Sequence, residues 1–526
     1  MIDRIFPPGG QAGTAVEVTL SGKPGAPPLS LWSSNGKLSA AFSEKNDKVT
    51  ITIPADCPLG VHWLRFWNPA GSSSLRPFVV GRLPELLEVE PNDRHAEAQA
   101  ISDGQRVING VLEKSGDVDT YTVPVSAGQT LFVSVLGKRE LSSPMDAVLQ
   151  VLDEDGAILI QNDDDHGIDP QATFKAERDG ILRIRLFSFP SDPNSSIHFA
   201  GGANYMYRLT VSTGPAVDYT LPLAIQTGID TSVELKGWNL NPDGATVPVL
   251  AGAPEESRSV PFDSAMPVTV SVINMASLIE GRTIQSNDAS HSNGASRSKS
   301  APTVIPAAIT GVIHKGGERD HWQFQGERGK NVTVRVEARR RDSLLDPAIT
   351  IRSQNGAILK EADDLSGTDL DCESTLTIPD DGLFSVEVRD RYAHGGERYF
   401  YLLTVTESRP DAKLSIRESV FSGTTDKPLE IPVTIDRTNG YSGVLDFRVE
   451  GLPEGVTAAA ARSEKEGDSS KAVTLRIEGS TVEAFSGAIR LIARDSETGV
   501  VRAATYRPPD SMAEIDTIWL AWPVTQ

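Results

Sequence analysis

The chain has 526 residues and carries 50 Lys and Arg against 71 Asp and Glu, a formal charge of −21. That length exceeds one ordinary core and implies roughly three to five domains, while the acidity excludes the basic face that a nucleic-acid partner requires. Gly 45 and Pro 34, with many Val, Thr and Ile, favour short strands and turns over long helices. No stretch approaches the ~18 apolar residues of a membrane span.

Residues 1–83 alternate apolar and polar positions between Gly and Pro turns, as in Val16-Glu-Val-Thr-Leu20 and Val49-Thr-Ile-Thr-Ile53. With Phe6-Pro-Pro-Gly-Gly10 and Gly13 to Gly22, this segment resembles an immunoglobulin-like module of the TIG type. A strand over Val61–Trp67 puts Trp63, Arg65 and Trp67 on one face and His62, Leu64 and Phe66 on the other. The Trp pair either stacks on a sugar or partner or packs beneath the next module, and the second reading is favoured. The first ten residues lack the basic start and apolar run of a secretory signal. A trimmed signal, a mis-set start and a cytoplasmic protein all stay open on that observation.

Residues 84–213 hold two acidic clusters. The first is Glu88-Val-Glu-Pro-Asn-Asp93 and the second lies in Gly116-Asp-Val-Asp-Thr-Tyr121. Extended backbone sends alternate side chains to the same side, so Glu88, Glu90 and Asn92 point together, with Asp93 beside them. Asp117 and Asp119 repeat that spacing at the start of a strand. These hard oxygen side chains are the ligand set that Ca2+ prefers, and the expectation is that calcium ties the linker to the domain through Glu88, Glu90, Asn92, Asp93, Asp117 and Asp119. Leu131, Val133 and Val135 alternate inward, as do Leu182, Ile184 and Leu186. Gln161 to Gly167, with Asn162 to Asp165 at its centre, is an acidic turn that serves as a solvated hairpin loop or a second cation site, the loop being favoured because Asn, Asp and Gly suit turns without a ligand.

Glu90-Pro-Asn-Asp93, Gly110-Val-Leu112, Gly116-Asp-Val-Asp-Thr-Tyr121 and Ala127-Gly-Gln-Thr-Leu131 together resemble the bacterial pre-peptidase C-terminal domain over roughly residues 85–212. The resemblance implies a small β-sandwich, export to the cell surface, periplasm or extracellular space, and a secreted peptidase as a partner. Related collagen-binding domains bind calcium through the linker and a nearby loop; collagen itself is not carried over, because its surface contacts have no match here.

Residues 214–280 read as a second, short immunoglobulin-like unit, since Val233-Glu-Leu-Lys-Gly-Trp238 echoes Val16 to Gly22. Residues 281–408 repeat the calcium-motif domain behind a Ser-rich linker, Asn287 to Ser300. Gly110, Gly116, Asp119, Tyr121 and Gly128 align with Gly311, Gly317, Asp320, Trp322 and Gly329, and Tyr205 to Val211 with Tyr399 to Val405. In that alignment Thr283, Gln285, Asn287 and Asp288 stand opposite Glu88, Glu90, Asn92 and Asp93, and Glu318 opposite Asp117. Carboxylates are lost, so the second copy is expected to bind calcium weakly or not at all. Asp363, Asp364 and Asp369 match Asp163, Asp164 and Asp169, which favours a shared turn over a metal role. Residues 409–526 read as a third immunoglobulin-like sandwich, with Ile518 to Trp522 its closing strand. The fold class is all-β, a series of five β-sandwich modules arranged as a rod.

Cys57 and Cys372 fall in different modules and read as buried thiols. Gly-x-Ser-x-Gly, His-Glu-x-x-His and the phosphate-binding Gly-rich loop are absent. A glycoside hydrolase needs only two suitably spaced carboxylates, which 71 acidic residues supply by chance. The expectation is a non-catalytic scaffold for extracellular protein or polysaccharide. A structural spacer or accessory chain of a secreted peptidase system is the alternative.

Overall fold

The computed structural model describes residues 2–23, 25–192, 198–241, 245–250, 257–281, 302–367 and 369–524. Thr283, Gln285, Asn287, Asp288 and the Ser-rich stretch lie outside the described residues. The described chain is all-β, and its helical pieces are two three-residue 3-10 turns, Arg339–Arg341 and Asp468–Ser470. No helix among the described residues is long and apolar enough to cross a membrane.

In module 1 the alternating runs pair with each other. Ala15–Gly22 lies between Ile2–Phe6 and Lys48–Thr52, and the facing sheet orders Gly9–Gln11, Arg76–Gly81, Gly60–Asn68 and Ser30–Ser33. Val18, Ile51, Leu64, Phe66 and Phe78 fill the space between the sheets. Module 2 has two five-stranded sheets. One orders Glu85–Leu87, Gln105–Val111, Met206–Ser212, Thr130–Leu136 and Gln171–Lys175. The other orders Gln99–Ala100, Asp119–Val125, Gly180–Pro190, Met145–Leu152 and Ile158–Asn162. Tyr121, Val133, Leu149, Ile184 and Leu209 are among the fully buried side chains between them.

Module 4 repeats this arrangement. Ala276–Ile279, Ala307–Val312, Phe400–Glu407, Asn331–Glu337 and Cys372–Thr377 form its first sheet. The boundary at 281 expected from sequence is therefore misplaced. Ala276–Ile279 pairs in parallel with Ala307–Val312, as Glu85–Leu87 pairs with Gln105–Val111, so it belongs to module 4. Module 3 closes with Thr269–Ile273 and holds a small core around Val217, Ile225, Val233 and Val270. It docks on module 4 through Tyr219, whose ring stacks on Phe400 at 4.0 Å.

Module 5 is a sandwich in which Thr517–Trp522 lies between Val420–Ser422 and Phe485–Asp495. Its position corrects the picture of a rod. Trp63 and Arg65 are buried, and the Trp face of module 1 packs on module 5 rather than on the next module. Trp67 and Trp32 meet Trp519 with ring centroids 5.4 and 6.5 Å apart. Arg65 Nη2 donates to the Ser419 carbonyl at 3.0 Å. Module 5 also reaches module 2, where Ser142 Oγ donates to the Pro509 carbonyl and Ser511 Oγ to Glu140. Both thiols, Cys57 and Cys372, are free and buried.

Candidate metal centre

The linker enters module 2 as an edge strand. Arg208, 4% exposed at its side chain, holds Glu85 through both guanidinium nitrogens at 2.7 and 2.9 Å, and also donates to Asn109. Parallel pairing of Leu87 with Asn109 continues one step, with the Glu88 amide on the Asn109 carbonyl at 3.0 Å. Glu88 thereby comes to rest beside Gly110 and Val111. Its Oε2 accepts the Val111 amide at 2.6 Å. Gly110 is required here, since a Cβ would stand 2.2 Å from Tyr207 Oη and 2.7 Å from Glu88 Oε2.

Beyond Glu88 the chain turns. The Asn92 amide donates to Glu90 Oε2 at 2.9 Å, and the Asn92 carbonyl accepts the Thr120 amide at 3.2 Å. That last bond brings the linker against the Gly-Asp-x-Asp segment. There Gly116 adopts a φ of +88°, a backbone conformation that glycine takes without strain, and the turn presents Asp117 and then Asp119, the first residue of its strand. Asp117 Oδ2 accepts the Glu113 amide, and Asp93 Oδ1 accepts that of Val118 at 3.4 Å.

All six side chains named from the sequence meet at this junction. Carboxylate oxygens of Glu88, Glu90 and Asp119 lie within 4.8 Å of one another, and so do those of Glu90, Asp93 and Asp117. These are the two such acidic groups among the described residues, and Glu90 belongs to both. Asn92, Asp117 and Asp119 are each 0% exposed, and Glu90 Oε1, Asn92 Oδ1, Asp117 Oδ1 and Asp119 Oδ1 have no hydrogen-bond donor. A buried oxygen without a donor costs about 1–3 kcal/mol, more when charged. Four of them facing one junction fit the donor set of a hard cation. The electrostatics agree. Burial pushes the Glu88 carboxyl up to about 7 with the neighbouring charges of Glu90 and Asp117 adding to it, and burial plus the Glu88 charge moves Asp119 well above the usual carboxylate range. Burial raises Glu90 and Asp117 too.

Two participants were not visible in the sequence pattern. Tyr207, from the last strand of the module, donates to Asp119 Oδ2, and Tyr121 in turn donates to Tyr207. Lys114 places its ammonium 3.5 Å from Asp117 and 3.8 Å from Asp93.

The second copy corrects the sequence alignment. The residue structurally opposite Glu88 is Glu280, not Thr283: its amide donates to Thr310 at 2.9 Å and its Oε2 accepts the Val312 amide at 3.1 Å. Tyr401 donates to Asp320 at 2.7 Å as Tyr207 does to Asp119, and Trp322 Nε1 donates to Tyr401 where the first copy has Tyr121. The repeat therefore preserves the inner carboxylate pair. Two residues past Glu280, where the first copy has Glu90, the sequence carries Arg282, outside the described residues.

The acidic turn at 161–167 is held by protein. Asp165 accepts both Arg398 nitrogens of module 4 at 2.7 and 2.8 Å, and His166 lies 3.0 Å from it. Asp169 accepts the amides of Gly137, Lys138 and Arg139 at 2.8–3.1 Å. In the second copy Asp371 takes that bonding role, with the amides of Ala338 and Arg339, while Asp369 and Asp363 pair with Arg340 and Arg391.

No family model matches the chain, so the motif resemblance to the pre-peptidase C-terminal domain has no family match beside it. No curated protein sequence matches either. Among solved structures, immunoglobulin domains 1–4 of Sidekick-1 align at 12% identity over 99% of this chain and 96% of that one, with a TM-score of 0.23. The insect immune protein hemolin aligns at 10% identity over 99% and 98%, TM-score 0.23. SGBP-B of the Bacteroides ovatus mixed-linkage glucan utilization locus, solved in complex with a mixed-linkage heptasaccharide, aligns at 12% identity over 89% and 90%, TM-score 0.14. Scores this low leave the all-β sandwich assignment resting on the chain's own strands and registers.

Proposed function

We propose that this chain is a non-catalytic, calcium-stabilised β-sandwich scaffold of the cell surface or extracellular space, presenting a surface to matrix protein or polysaccharide. The observation that supports it is the meeting of five carboxylates and Asn92 between linker and turn, with buried oxygens on Glu90, Asn92, Asp117 and Asp119 that lack donors. Glu88, Glu90, Asn92, Asp93, Asp117 and Asp119 would hold the ion, which neutralises their mutual repulsion and fixes the linker to the module. Weak Ca2+ sites of about 10⁻⁴–10⁻³ M occur in extracellular modules, the location that the motif resemblance implies. Module 4 keeps Glu280 and Asp320 and has Glu318 opposite Asp117, but its sequence carries Arg282 two residues past Glu280, where module 2 has Glu90, so it serves as the weakly binding or metal-free copy.

Calcium at one hundred times its dissociation constant stabilises the folded state by about 2.7 kcal/mol. The full chain should therefore melt higher in calcium than in chelator, and Asp117→Ala should lose that response. Identical melting in both conditions rejects the reading.

One observation favours the spacer as a second reading. Trp63 is buried and Trp67 packs on Trp519, so neither ring is free to stack on a sugar. A matrix-protein and glycan array probed with the intact chain separates the two, since a spacer gives no calcium-dependent signal and a binding scaffold does.

A further inference from the structure

Among the described residues, Lys114 is the one cationic side chain at ion-pair distance from the acidic junction. We propose that Lys114 is a tethered competitor of the calcium ion: its ammonium holds the outer part of the site when calcium is absent and is displaced when calcium binds, which sets the affinity. The inference rests on the calcium reading above and concerns the regulation of that same site.

Lys114 touches one part of the junction selectively. Its Nζ lies 3.5 Å from Asp117 Oδ1 and 3.8 Å from Asp93 Oδ2, both in the group formed by Glu90, Asp93 and Asp117. No ion pair links it to Glu88 or Asp119. The residue is fixed in place by the turn, because its own carbonyl accepts the Asp117 amide at 3.1 Å. A cation is thus attached three residues from a ligand and cannot diffuse away.

The contact is also weak enough to break. Asp117 Oδ1 is fully buried and lacks a hydrogen-bond donor even with the ammonium at ion-pair distance, so the Lys neutralises charge without satisfying the oxygen. The Lys side chain is 64% exposed and has an open path to water. A divalent ion that coordinates the oxygen directly therefore replaces a loose contact with a close one. The second copy has Lys315 at the matching place, where Glu318, opposite Asp117, accepts the Lys315 amide at 2.9 Å.

A unit charge beside a divalent one, screened as in water, is worth roughly tenfold in affinity. The test is calorimetric titration of the chelator-treated full chain with CaCl2, comparing wild type, Lys114→Gln and Lys114→Arg. Lys114→Gln should bind about tenfold tighter, and Lys114→Arg should stay near wild type. Labelling of Lys114 by an amine-reactive reagent should rise when calcium is added, a change that a merely structural Lys would not show. Wild type and Lys114→Gln binding calcium with the same affinity overturns the inference and leaves the calcium reading standing. A wild-type chain that takes up no calcium overturns both.

Discussion

Arg398 and Asp165, 233 positions apart in the chain, form a bidentate ion pair at 2.7 and 2.8 Å between modules 4 and 2. The same guanidinium reaches Asp218 of module 3 at 2.9 Å. Three modules are therefore joined at one arginine, whose partners are 5% and 6% exposed at their side chains. Removing one member of a buried pair leaves an uncompensated charge and costs about 3–5 kcal/mol. Arg398→Ala should lower the urea midpoint of the full chain accordingly. Arg398→Lys should recover little, because an ammonium cannot reproduce the two-pronged contact.

The same pair carries a pH dependence. Burial alone would raise Asp165, but the hydrogen bonds from Arg398 and His166 outweigh it and hold the carboxyl at about 2. Asp218 shares the guanidinium yet is pushed up, because there burial outweighs the Arg398 contact. Asp165 faces the bidentate fork, so its lowered value governs the junction. An unfolded Asp titrates near 4 and binds the proton first on acidification. The contribution of Asp165 is thus complete above about pH 4 and lost as the pH falls through about 2. Acid titration monitored by circular dichroism should show wild type losing stability over that window and Arg398→Ala losing distinctly less.

Gly110 tests the close approach at the candidate metal centre. A Cβ there collides with Tyr207 and Glu88, so Gly110→Ala should destabilise by about 1–3 kcal/mol through overpacking and should also weaken the melting response to calcium. Gly311→Ala meets Tyr401 at 2.3 Å in the second copy and should destabilise comparably while leaving the calcium response intact.

Trp519, 2% exposed, covers Trp32 and Trp67 of module 1. Trp519→Ala should cost about 3–5 kcal/mol and release module 1 from module 5. Small-angle scattering should then report a larger radius of gyration. An unchanged radius would mean that other contacts suffice to hold the chain closed.

What the sequence revealed was local. The Glu-x-Glu-x-Asn-Asp and Asp-x-Asp spacings lie within a few residues each, and period-2 patterning put both on strand ends. The Gly116 turn and the strand beginning at Asp119 followed from the same pattern. What it hid was distant: Tyr207 completes the site from the last strand of the module, and Arg398 supplies the cation for an acidic turn in another module. Matching Asn287-Asp288 to Asn92-Asp93 passes over Glu280, whereas the register is set by strand pairing at Ala276–Ile279. The burial of Trp67 depends on Trp519, in the last strand of module 5, and no periodicity near residue 67 encodes that contact.

The central claim, that linker and turn share a cation, is tested most directly by crystals of the full chain grown in calcium and measured at a wavelength where calcium scatters anomalously. The account predicts an anomalous peak coordinated by Glu90, with Asp117 or Asp119 and a linker oxygen of Glu88, Asn92 or Asp93 in contact. A map without a peak there, with Glu90 turned to solvent and Asp117 and Asp119 bonded only to protein, would contradict it.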